Sequence, residues 1–200
     1  MEINMSEIFL WRSGAKCAEY LGASSEDEKK MCWNIVSLGD PLPALKDWKA
    51  PLLTQYLGEE GKKQRKPRKI GDCPSAGVLN LISQKAADAL RDIWDRHAIL
   101  YPVRLDDALG EMYHMVVVKT VLDCLDESAS RVAKDHKGRI RSVYNWVFKN
   151  GCLDDSDLFI LPYNETTCYI SGRFKERVIE AGLKGFAFHT HFWDSKPFTS

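Results

Sequence analysis

Apolar and polar positions are ordered most clearly in the last third of the chain. Residues 158–162 and 168–171 have the short apolar runs of strands, and 186–188 alternates as a third. Between them Phe174, Val178 and Ala181 recur at helical spacing, with Ile179 at the border of the face. Ser171 is placed to cap the first turn of that helix, and Gly182 to end it in a left-handed conformation. The predicted unit is strand, strand, helix, strand. Phe186, Phe188 and Phe192 fall on one face of the closing strand.

Upstream the pattern breaks into shorter pieces. Residues 8–11 predict an edge strand and 33–38 another strand, after which Pro41 and Pro43 interrupt regular structure. Trp48, Leu52, Leu53, Tyr56 and Leu57 are apolar anchors without a clear period. Residues 78–82 form a brief apolar segment. Ser83 then reads as the cap of an amphipathic helix over 84–97, with Ala86, Ala87, Leu90, Ile93 and Trp94 on its core face. Residues 99–103 predict a strand in which Pro102 favours an edge or an end. Residues 113–121 form the strongest strand. Both of its faces are apolar, which predicts a central position covered on each side. Residues 136–139 read as a turn, and 142–148 as a strand with Tyr144, Trp146 and Phe148 on one face. Together these elements predict an α+β fold: a mixed, mainly antiparallel sheet packed with a few helices.

Composition narrows the class. A chain of 200 residues is long enough to bury a core without a metal or disulfide staple. Lys plus Arg and Asp plus Glu both number 28, and a neutral chain argues against wholesale nucleic-acid binding. No run approaches the ~20 apolar residues that cross a bilayer, and the N-terminus lacks the pattern of a secretory signal. These features predict a cytoplasmic protein. Cysteines stand at 17, 32, 73, 124, 152 and 168 with no CxxC pair; a cytosolic setting predicts that they stay reduced, while the even count leaves an oxidised protein open. The charged stretch at 58–70 is the credible division point. It sets a small N-terminal lobe, 1–61, open to being part of the same domain, against a larger α+β domain, 70–194.

Candidate chemistry is sparse. His189 and His191, with Asp194 close by, have zinc- or iron-ligating side chains, but HxH is common and no motif fixes a third ligand. Asp154, Asp155 and Asp157 suggest a calcium loop. Phe159 stands where the bend needs Gly, so the cluster reads as a solvated turn or a patch for a basic partner. Cys73 with His97 or His114 would make a thiol–imidazole pair, yet no spacing brings them together. No nucleophile elbow and no phosphate-cradling glycine loop occurs. No catalytic residue and no cofactor is therefore assigned. Lys62, Lys63, Arg65 and Lys66 head a block with six cationic side chains in residues 62–69. Its bland reading is a flexible solvated loop. Its functional reading is a surface that steers an acidic partner, with nucleic acid behind it because no aromatics are interleaved. Any of the six tryptophans left exposed is a candidate anchor. Trp48, beside the basic block, and Asp154 and Asp155 complete the candidate partner-binding set.

One ordered set of pieces carries a resemblance. It runs from Asp72-Cys73-Pro74 through Leu81-Ile82-Ser83 with Ala86, Ala87 and Leu90, then Leu100-Tyr101-Pro102-Val103. It continues with Leu125, Asp126 and Ser128, then Leu158-Phe159, and closes on Tyr169-Ile170-Ser171, Phe174-Lys175 and the Gly182–Phe186 ending. Over residues 70–193 the chain resembles the Imm11 (DUF1629) immunity proteins of bacterial polymorphic-toxin systems. The resemblance implies a cytoplasmic, non-enzymatic protein that binds and neutralises a cognate toxin, some toxins of this kind travelling by type VI or other contact-dependent secretion. It transfers no catalytic and no toxin-binding residues. A metal-dependent small-molecule enzyme using His189 and His191 is the alternative class, with an antitoxin-like nucleic-acid binder a third. A homo-oligomer stays open.

Overall fold

The strands fall into a closed barrel, a separate four-stranded sheet and a lone hairpin, an α+β fold with mostly antiparallel pairing. The computed structural model describes residues 7–21, 42–58, 63–108 and 110–190. The expected strand at 33–38 lies outside them, as does Phe192.

The barrel has six strands in the order β2 (Glu19–Leu21), β3 (Leu52–Gln55), β6 (Ala98–Leu105), β7 (Tyr113–Val118), β5 (Leu79–Ser83) and β4 (Ser75–Ala76), closed by β2 against β4. The four-stranded sheet runs β10 (Leu158–Leu161), β11 (Asn164–Ser171), β1 (Ile8–Ser13), β12 (Phe186–His189). β8 (Arg131–Lys134) and β9 (Ile140–Asn145) pair with each other. The described residues include three α-helices: α1 (Gln84–Ala89), α2 (Arg91–His97) and α3 (Gly172–Glu180). Strands from before residue 61 are hydrogen-bonded to later ones in both large sheets, β1 to β11 and β12, β3 to β6.

The period-two alternation of strands sorts side chains into three cores. Tyr113, Met115 and Val117 of β7 point into the barrel with Leu81, Tyr101 and Val103. Val116 and Val118 point outward, onto Trp94, Phe174, Phe9 and Trp11. β7 is thus central and covered on both faces, as its two apolar faces predict. The four-stranded sheet divides likewise: Phe9, Trp11 and Ile170 face the helices, while Leu10, Phe159, Leu161 and Tyr169 face a third cluster.

The helix-and-strand unit at the C-terminal end forms as expected. Ser171 Oγ accepts from the Phe174 amide, capping α3. Gly182 has φ 60°, and Gly182 and Leu183 donate to the Ile179 and Val178 carbonyls, the paired bonds of a Schellman ending. Other expectations need correction. Residues 8–11 are no edge strand, because β1 lies between β11 and β12. The helix expected over 84–97 is two, broken at Leu90 (φ −120°, ψ 26°), where Trp94 Nε1 turns back to the Ala86 carbonyl at 3.1 Å. Pro102 sits within β6, not at an end. Its carbonyl turns away from β7 and accepts from Trp48 Nε1 (2.8 Å), so its missing N–H, on that same side, removes nothing from the β6–β7 ladder. The strand expected over 142–148 ends at Asn145. Cys124 and Cys152, expected reduced, are disulfide-paired with Cα atoms 5.4 Å apart.

Candidate functional site

The basic block is an ordered strap rather than a free loop. Among its described residues, Lys63 to Lys69 are all exposed, yet the backbone is pinned at three places. The Arg65 amide donates to the Leu57 carbonyl (2.6 Å). The side-chain amide of Gln55 pairs with the Arg68 backbone in both directions, accepting from its N–H (2.7 Å) and donating to its carbonyl (3.2 Å). The Ala18 amide donates to the Lys69 carbonyl (2.9 Å). Arg65 also lies over the Tyr56 ring, 5.9 Å from its centroid. Charge is therefore presented on a fixed track along the barrel. Lys62 lies outside the described residues.

Trp48 does not join that surface. It is 8% exposed, packs on Tyr101 at 4.8 Å between ring centroids, and spends its N–H on Pro102. Its role is to close one end of the barrel core, and it is corrected from anchor to core. Trp11 and Trp94 are buried and Trp146 half-buried, so no tryptophan among the described residues offers an exposed anchor.

Asp154 and Asp155 are exposed at the turn before β10, Asp154 with φ 47°. Asp154 lines a cleft of about 480 Å³ with Phe148, Lys149 and Arg173. The Asp155 carboxylate is 95% exposed, 3.8 Å from the Arg173 guanidinium. Asp157 has another role. Buried, it accepts from Ser171 Oγ (2.5 Å) and Arg173 Nε (2.9 Å). Its amide donates to His97 Nε2 (3.4 Å), whose Nδ1 faces Thr120 Oγ1 (3.0 Å). That network joins α2, β10 and the start of α3, and its polar atoms are satisfied within the fold. Burial holds the His97 imidazole below the ordinary histidine value.

The thiol–imidazole reading finds no support in the geometry. Cys73 is buried and burial pushes its thiol far up, away from a nucleophilic thiolate. Burial likewise pushes Cys168 up to about 12. His189 is exposed at the end of β12, and His191 and Asp194 lie outside the described residues. Among the described residues no group of three His, Cys, Asp or Glu could hold a metal ion. A second cleft, about 360 Å³, opens between β1, β5 and the strap, with Arg12, Glu19, Arg68 and Asn80 in its lining.

The pieces that carry the resemblance turn out to be fastenings. Asp72 receives Ser83 Oγ (2.8 Å) and the Lys184 amide (2.8 Å) on its two carboxylate oxygens. Asp126 accepts from the Ser128 and Ala129 amides and from Ser128 Oγ (2.6 Å), shaping the turn before β8. Five further cations, Arg131, Lys134, Lys137, Arg139 and Arg141, share the β8–β9 hairpin. A run of five in eleven residues was the available signal. Its interruption by Asp135, Gly138 and Ile140 makes it less obvious than 62–69.

A comparison with curated proteins finds no match to the chain. The sequence model of the Imm11 immunity protein family matches residues 65–191, which include Asp72, both helix caps and every strand from β4 to β12. That match covers well over half of the chain, and the chain belongs to the Imm11 immunity protein family.

Proposed function

We propose that the chain binds a cognate bacterial toxin and neutralises it by occlusion, covering the toxin's active site or blocking a movement it needs. The observation that carries this reading is the family match over residues 65–191. In this reading the protein acts in the cytoplasm through its exterior, without a catalytic centre or cofactor, and the Cys124–Cys152 bridge is an exception to the reduced state that this compartment favours. Its partners are toxins delivered by contact-dependent secretion, type VI among the routes. A tight complex would bury about 1,600 Å² around a few central contacts.

Two surfaces are offered to the partner. The strap, with Lys62, Lys63, Arg65 and Lys66, steers encounter with an acidic face. Asp154 and Asp155 offer a smaller acidic contact on another loop. Co-expression in bacteria with the product of the neighbouring gene, as candidate toxin, tests the reading. Growth arrest by the toxin alone, relieved by the chain, is expected. Continued arrest with both proteins present and soluble would overturn it.

A further inference from the structure

We propose that residues 124–152 form a preorganised cationic arm that docks on an acidic surface of the toxin; this rests on the immunity reading above. The arm is built as a unit. Cys124 and Cys152 close its base with a disulfide. Directly beyond, Leu125 and Phe148 bridge, the Lys149 amide donates to the Cys124 carbonyl and the Asp126 amide to the Val147 carbonyl, both at 2.8 Å. Ser130 Oγ accepts from the Val147 amide (3.0 Å). Trp146 and Phe148 fold inward onto Tyr169, at 5.9 and 6.0 Å between centroids. Past this base β8 and β9 pair with each other and with no other described strand, while Val143 of β9 is buried.

Its charge is lopsided. The arm holds six basic residues and three acidic ones in a chain that is neutral overall, so the rest of the molecule is net negative. Internal pairing leaves a surplus. Lys134 pairs with Glu127 inside the arm, and Lys149 with Asp123 just before it. Asp135 is shared by Arg139 (2.8 Å) and Arg141 (3.5 Å). Arg131 lies over the Tyr144 ring at 5.6 Å, and Lys137 is exposed at the turn. The Asp135 carboxylate also accepts from the Lys137 and Arg139 amides, fixing the turn that carries them.

A cationic element held rigid by its base loses little entropy on docking, and opposed charge speeds encounter. The occupant is an acidic protein face rather than nucleic acid, because the net negative remainder of the chain would repel a continuous polyanion.

The test uses the full chain and, as the candidate toxin domain, the product of the neighbouring gene. Association rates are measured from low to physiological salt for wild type and for Lys137→Glu/Arg141→Glu. Circular dichroism and the melting temperature establish that the variant is folded. In parallel, amide exchange over 131–145 is compared between free and bound wild type. Expected are a variant association rate roughly tenfold lower at low salt, a flatter salt dependence, and slowed exchange in the arm on binding. Wild-type binding with unchanged arm exchange, or equal association rates for a folded variant, overturns the arm alone. Absence of wild-type binding overturns the immunity reading and the arm with it. Tighter binding of the full chain to a duplex DNA oligomer than to the toxin domain, weakened by Lys137→Glu/Arg141→Glu, overturns the choice of partner.

Discussion

Asp72 grips Lys184 from both sides: its amide donates to the Lys184 carbonyl at 2.7 Å, and its carboxylate accepts from the Lys184 amide at 2.8 Å. The two residues are 112 apart in sequence. The same carboxylate takes Ser83 Oγ, the cap of α1, and the Asp72 carbonyl takes the Ser83 amide. One aspartate therefore ties the barrel's β5–α1 corner to the loop that leads into β12 of the four-stranded sheet. Replacing Asp72 with Ala removes two charge-assisted bonds at a partly exposed site. The expected loss is about 1–3 kcal/mol, read as a lower urea midpoint at unchanged slope. An unshifted midpoint would show that the seam holds without it.

A second fastening lies beside it. Gly185 has φ 93°, and a Cβ there would stand 2.6 Å from Cys17 Sγ. Gly14 donates its amide to the Gly185 carbonyl at 2.7 Å, so the backbone is fixed on that side too. Gly185→Ala should destabilise by about 1–3 kcal/mol. Adding Cys17→Ala relieves the steric part but leaves the backbone strain, so recovery in the double variant should be partial. Full recovery would mean that the conformation itself carries no cost.

Much of this fold was legible in the sequence. The caps at Ser83 and Ser171, the Gly182 ending and the two-faced β7 are local patterns whose cause lies within a few residues, and they stand as read. The misreadings are tertiary. β1 looks like an edge because its partners come from more than 150 residues later. Pro102 is tolerated mid-strand because of Trp48, and no local pattern relates the two. The short strands β2 and β4 close the barrel by a parallel pairing of residues more than 50 apart in sequence. The candidate surface was half legible: the charge of the strap is plain in the sequence, but its pinning by Gln55 and the burial of Trp48 are not.

Acid should weaken the fold through two histidines. His97 accepts the Asp157 amide through Nε2, which requires a neutral ring with its proton on Nδ1. His114 approaches Gln84 Oε1 at 2.8 Å through Nε2. Burial lowers both below the ordinary 6.5, against Asp157 near His97 and Asp88 near His114, which pull upward. Below pH 6.5 the unfolded chain therefore takes up protons that the folded chain refuses. Their contribution is complete above that pH and is lost as pH falls toward the folded values. Urea midpoints should drop from pH 7 to pH 5, and the drop should shrink in His97→Asn/His114→Gln. An equal drop in wild type and the double variant would place the acid sensitivity elsewhere.

The Cys124–Cys152 bridge spans 28 residues, a loop whose closure stabilises by about 3–4 kcal/mol in the chain-entropy account. Cys124→Ser/Cys152→Ser should melt several degrees lower, and exchange in 125–148 should rise more than in β7. Non-reducing peptide mapping should recover the two cysteines in one linked fragment. Their recovery as separate free thiols would contradict the pairing.

If this molecule works by holding a toxin, as proposed above, a binding titration of the full chain against the product of the neighbouring gene reads it directly. A one-to-one complex with Kd of about 10 nM or tighter, roughly −11 kcal/mol, is expected. No complex at about 10 µM of each folded protein, a concentration at which even −8 kcal/mol would be seen, would contradict it.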